Sequence, residues 1–301
     1  MSDEIVTVQQ VSRVFGRTVA LADVTLSVSR GTVFGLVGEN GAGKTTLIKH
    51  LLGLYRPEYG CVRVFGGDPV HDPVGVLGRI GYLSEDRDLP EWMRVGEMMS
   101  YTRAFYPRWD GGLAHELLEM FELDIAQKVR TLSRGQRARA GLLVAVAHRP
   151  DLLLLDEPSS GLDPGARQDI LATVVRTVAD EGRTVLLSSH LLHEVQRVAD
   201  HVAMLHRGRL VLNEPLDDVL ARHRLLTVHF ATAPPTPPPW PGALRWTGQG
   251  TEWTCLCNGQ WPACRQAAEA AGAAIVEERS PSLEEIFLAH TKGVDAGSSQ
   301  P

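Results

Sequence analysis

The 301-residue sequence predicts an α/β domain followed by a small α+β appendage. Three observations support that prediction. Short apolar, β-prone runs alternate with segments of helical spacing over most of the chain. Two of those runs, residues 32–37 and 152–155, end in residues suited to binding phosphate and metal. Beyond a proline-rich connector at 233–241, the strand and helix segments form a separate, shorter set.

The individual elements follow from the spacing of apolar residues and from the turn residues between them. In the first domain, strands are predicted at 4–11, 19–28, 32–37, 62–65, 79–83, 152–155 and 184–187, with a hairpin at 201–206 and 209–212. Its helices are predicted at 45–54, 95–105, 113–121, 133–147 and 191–199. The appendage has predicted helices at 215–223, 262–271 and 283–290, and strands at 225–230, 252–256 and 274–277.

The composition argues against several classes of protein. A formal net charge of −6 is unlike the basic excess of most nucleic-acid-binding proteins. The acidic N-terminus lacks the apolar run of a secretory signal. No run approaches the ~18 apolar residues of a membrane span, so the chain is expected to be soluble by itself. Cys255, Cys257 and Cys264 suggest a metal site, but no fourth ligand completes a tetrahedral set, and reduced, partly buried thiols are the better interpretation.

The most informative stretch is the glycine-rich run GENGAGKTT at residues 38–46. It fits the phosphate-binding pattern G-x-x-x-x-G-K-[ST], between a predicted strand and a predicted helix. The glycines let successive backbone N–H groups point into one concave nest, and Lys44 reaches the β- and γ-phosphates. The Thr45 hydroxyl is the expected Mg²⁺ ligand. The remaining candidates for nucleotide contact in this run are Gly38, Asn40, Gly41, Gly43 and Thr46.

Two further strand ends carry candidate catalytic groups. The apolar run 152–155 leads into Asp156 and Glu157, the Walker B pattern. Asp156 is expected to hold Mg²⁺ through water, and Glu157 to orient and deprotonate the attacking water. His190 follows the predicted strand at 184–187. Ligands bind at the carboxyl ends of strands in open α/β sheets, which makes His190 a better candidate than the ten other histidines. From its position alone, a core or cap role is still favoured over a phosphate contact.

Other features are open from the residues alone. Ser133 begins a capped helix whose N-terminus is an anion site in principle. Phe15 stands just before a turn, where a core role is favoured over stacking on adenine. An aromatic cluster at 92–109 is either core or a docking surface on the flank of the domain.

Taken together, the motifs resemble the nucleotide-binding subunit of an ABC transporter. GENGAGKTT, TLSRGQ, LLLLDEP, SSGLDP and SSH follow one another in that family's order. The resemblance implies a P-loop NTPase ABC ATPase domain at 4–220, with a helical subdomain at about 86–150. A C-terminal α+β accessory domain at 221–292 and a disordered tail at 293–301 are expected after it.

The resemblance also implies roles for individual residues. Phe15 matches the aromatic residue that stacks on adenine. Asp163 matches the loop that crosses a dimer interface, and His190 matches the γ-phosphate switch. Glu85 falls where the family usually has a glutamine that joins Mg²⁺ and the attacking water to a membrane partner. The signature residues are Ser133, Gly135 and Gln136.

Two positions depart from the family pattern. Glu85 replaces an amide with a carboxylate, which can still ligate a hard cation but adds negative charge beside the phosphates. Arg134 replaces the first glycine of the signature. Because Lys44, Asp156 and Glu157 are intact, both departures are interpreted as variations that preserve activity.

The resemblance finally implies partners. One cassette per chain implies a dimer around two ATP molecules with Mg²⁺, coupled to an integral membrane permease at the cytoplasmic face of the membrane. The sequence around 281–287 is similar to the ending of type-two exporter subunits in bacteria. The alternative is a soluble ABC ATPase acting on a nucleoprotein complex, which the single cassette and the lack of a basic stretch disfavour. An importer ATPase is a third option.

Overall fold

The computed structural model describes residues 3–159, 175, 181–234 and 236–297. The chain divides into two compact units, Met1–Asn213 and Glu214–Pro301. Within the described residues, no helix has the length and apolar character needed to cross a membrane. The first unit contains every described residue that the sequence assigns to the nucleotide site.

The first unit begins with a β-hairpin and contains two sheets. Its strands are β1 (Glu4–Phe15), β2 (Thr18–Ser29), β3 (Val33–Val37), β4 (Tyr59–Val64), β5 (Ile80–Leu83), β6 (Leu152–Asp156), β7 (Thr184–Ser189), β8 (His201–His206) and β9 (Arg209–Pro215). β1 pairs antiparallel with both β2 and β4, which gives a three-stranded sheet in the order β2-β1-β4. The positive φ of Gly16, 60°, allows the tight turn between β1 and β2.

The second sheet of this unit has six strands in the order β5-β6-β7-β3-β8-β9. β3 pairs parallel with β7 and β8, and β6 pairs parallel with β5 and β7. All residues of β3, β6 and β7 are buried. Strands covered on both faces read as unbroken apolar runs, which is how the sequence predicted them.

Helices accompany the six-stranded sheet. They are α1 (Lys44–Leu51), α2 (Pro73–Leu77), α3 (Val95–Arg103), α4 (Gly111–Met120), α5 (Arg134–Val146) and α6 (Leu192–Val198). Leu47, Ile48 and Leu51 of α1 are fully buried in the main hydrophobic cluster, which also takes in residues of both sheets. The cluster thereby fixes α1, and the loop that precedes it, against the sheet.

The second unit is an α+β structure built around one sheet. It contains α7 (Leu216–Arg222), β10 (His223–Phe230), β11 (Ala243–Gln249), β12 (Glu252–Asn258), α8 (Trp261–Ala270), β13 (Ala273–Arg279) and α9 (Leu283–Gly297). The strands form one antiparallel sheet in the order β11-β12-β10-β13. A buried cluster that includes Val228, Cys255 and Ala268 joins one face of that sheet to α8. The thiols of Cys255, Cys257 and Cys264 are free and buried there.

Four features differ from the sequence-based expectations. The strand β11 and the short helix α2 were not predicted. The division between the units falls after Asn213 rather than after residue 220. The final helix runs to Gly297, so the disordered tail predicted from Gly293 does not begin there. The sequence left open whether the aromatic cluster at 92–109 is core or surface, and Trp92, Tyr101 and Phe105 of it are exposed.

Candidate active site

The candidate site lies where three neighbouring parallel strands end. In the sheet order, β7 lies between β6 and β3. Asp156 at the end of β6 is paired with Ser188 of β7, and Ser189 is paired with Val37 at the end of β3. The two carboxylates, His190 and the glycine-rich loop therefore leave the sheet at the same edge, although they are far apart in sequence.

The glycine-rich loop adopts a backbone that only glycine tolerates at its last position. Gly43 has φ 109° and stands directly before α1. A Cβ atom on Gly43 would lie 2.3 Å from the carbonyl oxygen of Ala20, and one on Gly38 would lie 2.3 Å from that of Leu205. The chain thus passes close to two other backbones before it enters α1, whose free N–H groups and dipole favour an anion.

Lys44 is buried, and its ammonium group has two hydrogen-bond acceptors and one ion-pair partner. Its Nζ donates to the carbonyl oxygens of Gly38 at 2.7 Å and Glu39 at 3.2 Å. The same Nζ lies 3.1 Å from Oε1 of Glu157. The loop and the Walker B carboxylate therefore share one cation.

Glu157 connects Lys44 to His190. Its other oxygen, Oε2, lies 2.7 Å from Nδ1 of His190 and also accepts from the His190 backbone N–H at 3.3 Å. Glu157 is almost fully buried, and its φ of 47° is unusual for a residue with a side chain. The Glu157 backbone N–H donates to the carbonyl oxygen of Ser188, which holds this strained turn in place.

Asp156 is fully buried beside Thr45. Burial raises the pKa of its carboxyl, whereas hydrogen bonds from Thr45 and Ser188 lower it. The Ser188 hydroxyl donates to Oδ1 at 2.9 Å. Among the described residues, Oδ2 has no hydrogen-bond partner. A buried carboxylate oxygen without a partner, next to a threonine hydroxyl, fits a hard cation such as Mg²⁺, which takes few protein ligands.

Glu85 lies just beyond the end of β5, the neighbour of β6. Its pKa is raised above the ordinary value, first by partial burial and then by the charges of Asp156 and Glu157. The charges of Asp156 and Glu157 therefore act on Glu85, although the Glu85 side chain is exposed and theirs are buried. The structure describes no group of three or more His, Cys, Asp or Glu side chains arranged to hold a metal, so a metal here would depend on other ligands as well.

The signature residues form the start of α5. Ser133 accepts from the backbone N–H of Gln136 at 3.1 Å, and the Gln136 side chain accepts from the Ser133 N–H at 3.0 Å, a reciprocal capping box. Gly135 lies in the first helical turn. Arg134 is exposed at the first helical position and takes no part in that cap.

Phe15 was predicted to stack on adenine, and Asp163 to lie in a loop that crosses a dimer interface. Phe15 is 39% exposed, with Tyr55 at its edge and the guanidinium of Arg13 4.8 Å from its ring centroid. It is therefore not a core residue, which was the interpretation from position alone. Asp163 lies outside the described residues.

Sequence reasoning missed the supporting residue Ser188. It was visible only as one of the two serines before His190, and nothing in the sequence paired it with Asp156. Arg87 was also missed. It is buried, donates to the carbonyl oxygen of Pro158 at 3.3 Å, and has a pKa lowered by burial and by the charge of Arg134.

Comparisons with known proteins give the same assignment as the site. The family model described as ABC transporter matches residues 21–160. The daunorubicin resistance ATP-binding protein DrrA3 of Streptomyces coeruleorubidus is 37% identical over 73% of this chain and 71% of its own length. The bacitracin transport ATP-binding protein BcrA of Bacillus licheniformis is 30% identical over 73% and 72%, respectively.

A solved structure supports the fold directly. The ATP-binding subunit of an ABC transporter superposes with a TM-score of 0.67 and 29% identity, covering 72% of this chain and 92% of that chain. The matched family, the relatives and the strand-end site agree. The chain therefore belongs to the ABC transporter family as an ATP-binding, ATP-hydrolysing subunit.

Proposed function

We propose that the chain is the motor subunit of an ABC exporter. Two copies close around two ATP molecules, and the cycle of closure and hydrolysis drives a separate membrane permease. The observation that carries the ATPase chemistry is the linked set Lys44, Glu157 and His190 at one edge of the sheet.

The residues divide the chemistry between them. Lys44 and the loop amides bind the phosphates, and Phe15 offers an exposed ring to the adenine base. Thr45 and Asp156, with Glu85, would hold Mg²⁺, which neutralises phosphate charge when it is bound. Glu157 orients the attacking water and accepts its proton. His190 holds the Glu157 carboxylate by its hydrogen bond and contacts the γ-phosphate.

Dimerisation is proposed because the signature faces solvent. Ser133 and Arg134 are exposed at the N-terminus of α5, where the helix offers free N–H groups and a favourable dipole to an anion. A second copy would bring its own ATP to this helix end, and the loop containing Asp163 would cross the same interface. ATP shifts the equilibrium only by its higher affinity for the closed pair.

The proposed permease contact is an aromatic surface on the helical part of the first unit. Trp92, Tyr101 and Phe105 are 75%, 54% and 63% exposed. Trp92 and Tyr101 line a 470 Å³ groove with the acidic turn at Asp86 and Asp88. Exposed aromatic side chains rimmed by charge are typical of protein interfaces. The groove begins at Asp86, next to Glu85. A permease helix that occupies the groove would therefore change the position of Glu85 relative to the other proposed Mg²⁺ ligands.

The export direction rests on the relatives. One is named for daunorubicin resistance and the other for bacitracin transport. Resistance to a drug is a function that an exporter provides. The ending around Leu283 and Phe287, which is similar to that of exporter subunits, points the same way.

The test is to purify the tagged chain from its native cells in mild detergent and identify what comes with it. We expect a stoichiometric integral membrane protein with several spans. The double variant Trp92→Ala/Tyr101→Ala should lose it, whereas Val74→Ala, which removes an apolar side chain that is 85% exposed elsewhere, should keep it. Recovery with ribosomes or nucleic acid, and without a membrane protein, would favour the alternative of a soluble ATPase acting on a nucleoprotein complex.

A further inference from the structure

The second unit contains a cavity that plays no part in the proposed ATPase cycle. Its volume is about 510 Å³, and it lies on the face of the four-stranded sheet opposite the buried cysteines. The helix α9 contributes Leu288 and Ala289 to its wall. A cavity of this size is in the range of small-molecule sites.

The floor of the cavity follows from the strand register. One row across the sheet pairs Arg245 with Leu256 and Leu256 with Leu225. The next row pairs Thr247 with Thr254 and Thr254 with Thr227. The hydroxyls of Thr227 and Thr254 lie 3.2 Å apart. The floor thus has two leucines beside Arg245 in one row and hydroxyls in the next, a surface that suits a molecule with both apolar and charged or polar parts.

The charges around the cavity are distributed unevenly. Arg279 binds Glu285 through two hydrogen bonds of 3.0 and 2.6 Å and lies 3.9 Å from Glu277. Arg279 is therefore fully engaged by these two carboxylates, and the group as a whole keeps one negative charge. The two other charged lining residues are Arg245 and Glu252.

Arg245 is a lining residue whose charge has no partner among the described residues. It is half-buried, and within the described residues it makes no hydrogen bond or ion pair. Glu252 pairs across the sheet with Gln249, four residues along β11 from Arg245, which is on the order of 13 Å at the rise of a strand. In the part of the chain that the structure describes, Glu252 forms no ion pair with this guanidinium. A partly buried guanidinium prefers a planar anion such as a carboxylate.

We propose that this cavity binds a small anionic amphipath. Its carboxylate, sulfonate or phosphate pairs with Arg245, and its apolar body lies on Leu225, Leu256 and Leu288. The hydroxyls of Thr227, Thr247 and Thr254 can donate hydrogen bonds to a polar group farther along the ligand, or accept hydrogen bonds from it. The site is separate from the nucleotide site and does not depend on the export proposal.

The test uses two fluorescent dyes of similar size with the full-length chain. 8-Anilinonaphthalene-1-sulfonate carries an anion, and N-phenyl-1-naphthylamine has none. Arg245→Gln should weaken binding of the sulfonate about tenfold or more, because hydrogen bonds to charged groups are the stronger kind, and should leave the neutral dye within about twofold. Arg63→Gln, an exposed arginine on β4, is the matched control and should change neither.

A second variant keeps the test informative if Arg245→Gln perturbs the fold. Thr254→Phe fills the middle of the floor and should block both dyes, with ATP hydrolysis retained as evidence of folding. Equal binding of the sulfonate by the wild type, Arg245→Gln and Thr254→Phe would overturn the proposal.

The source of the natural anion is separated by competition. Displacement of the sulfonate dye by octanoate, below the concentration at which it forms micelles, and not by phosphatidylglycerol vesicles supports a free ligand. Displacement by the vesicles supports a lipid headgroup with the same chemistry. Failure of both competitors to displace the dye would contradict an anion-binding cavity.

Discussion

At the scale of single residues, Glu157 is the centre of the site, because it touches both the phosphate-binding lysine and His190. Its side chain is almost fully buried and has one oxygen for each partner. An amide in its place keeps the shape and one acceptor but cannot take a proton from water. The role of Glu157 as the base can therefore be separated from its role in packing.

We expect Glu157→Gln to keep ATP binding and to slow hydrolysis by about 10²–10⁴-fold, the usual contribution of a general base. Phosphate release measures the rate, and a fluorescent ATP analogue measures the binding. Glu119→Gln, an exposed glutamate on α4, is the control and should match the wild type. Unchanged turnover in Glu157→Gln would remove Glu157 from the role of base.

The sequence predicted the identities of these residues but not their contacts. Lys44, Asp156 and His190 were each found from a local motif at a strand end. Their proximity depends on the order β6-β7-β3, in which strands distant in sequence are neighbours. The positive φ of Glu157 and the hydrogen bond from Ser188 to Asp156 depend on that same long-range pairing, so they cannot be predicted from a local sequence pattern.

At the scale of elements, the glycine-rich loop is held by close contacts with two other segments. Gly43→Ala would place Cβ 2.3 Å from the Ala20 carbonyl oxygen at a φ of 109°. Both the backbone strain and the clash should shift the loop and the start of α1. We expect this variant to lose measurable nucleotide binding and to lower the free energy of unfolding by about 2 kcal/mol or more.

Gly182→Ala provides the comparison for Gly43→Ala. Gly182 has φ 72°, but a Cβ there meets no atom within 4 Å. Gly182→Ala should therefore lower the free energy of unfolding only by the strain of the left-handed backbone, about 1–2 kcal/mol, and should retain nucleotide binding. Urea unfolding and titration with the ATP analogue distinguish the two. Equal effects of both substitutions would show that the close approach at Gly43 is unimportant.

The pair of Arg279 and Glu285 links β13 to the start of α9. The hydrogen bonds from Arg279 lower the pKa of Glu285 to about 2. A lowered pKa stabilises the fold when the group is charged, so the contribution is complete above the unfolded value of ~4.3 and is lost as the pH falls towards 2. Glu285→Gln should cost about 1 kcal/mol at pH 7, since the pair is partly exposed and screened.

The difference between Glu285→Gln and the wild type should shrink as the pH is lowered from 7 towards 3. Urea unfolding of the full chain at several pH values measures it. Glu284→Gln, the neighbouring exposed carboxylate, is the control and should show a small difference at every pH. A difference that grows on acidification would contradict the assigned sign.

The elements that sequence reasoning missed have weak local signals. β11 reads ALRWTGQ, with a glycine near its end and three exposed residues, and it follows a proline-rich stretch. It is a strand because β12 supplies a paired edge, not because its residues prefer that conformation. The helix α9 continues through Thr291 to Gly297, where Gly/Ser content favoured disorder.

At the scale of the whole molecule, the two units have separate hydrophobic clusters. The main cluster of the first unit takes its residues from positions up to Leu210, and the cluster of the second unit begins at Leu226. The predicted boundary at residue 220 was set by the extent of the family resemblance. The two compact units instead divide after Asn213.

A chain that ends after Pro215 should therefore keep the nucleotide site. It retains the whole of β9 and every residue of the main cluster. We expect its affinity for ATP to remain within about threefold of the full chain, because a difference of 0.6 kcal/mol or less corresponds to that ratio. Loss of ATP binding in a folded truncated chain would show that the second unit contributes to the site.

The contacts of Lys44 have a consequence for how tightly the protein binds its substrate. An ammonium group has three hydrogens to donate, of which the carbonyl oxygens of Gly38 and Glu39 accept two, and Oε1 of Glu157 lies 3.1 Å from Nζ as its ion-pair partner. A phosphate oxygen must then compete with an existing acceptor, so the observed affinity is the difference between two strong interactions. Glu157→Gln weakens the competitor, and its ATP dissociation constant should fall below that of the wild type in equilibrium titrations. The same carboxylate would thus promote hydrolysis and limit the time for which the substrate stays bound.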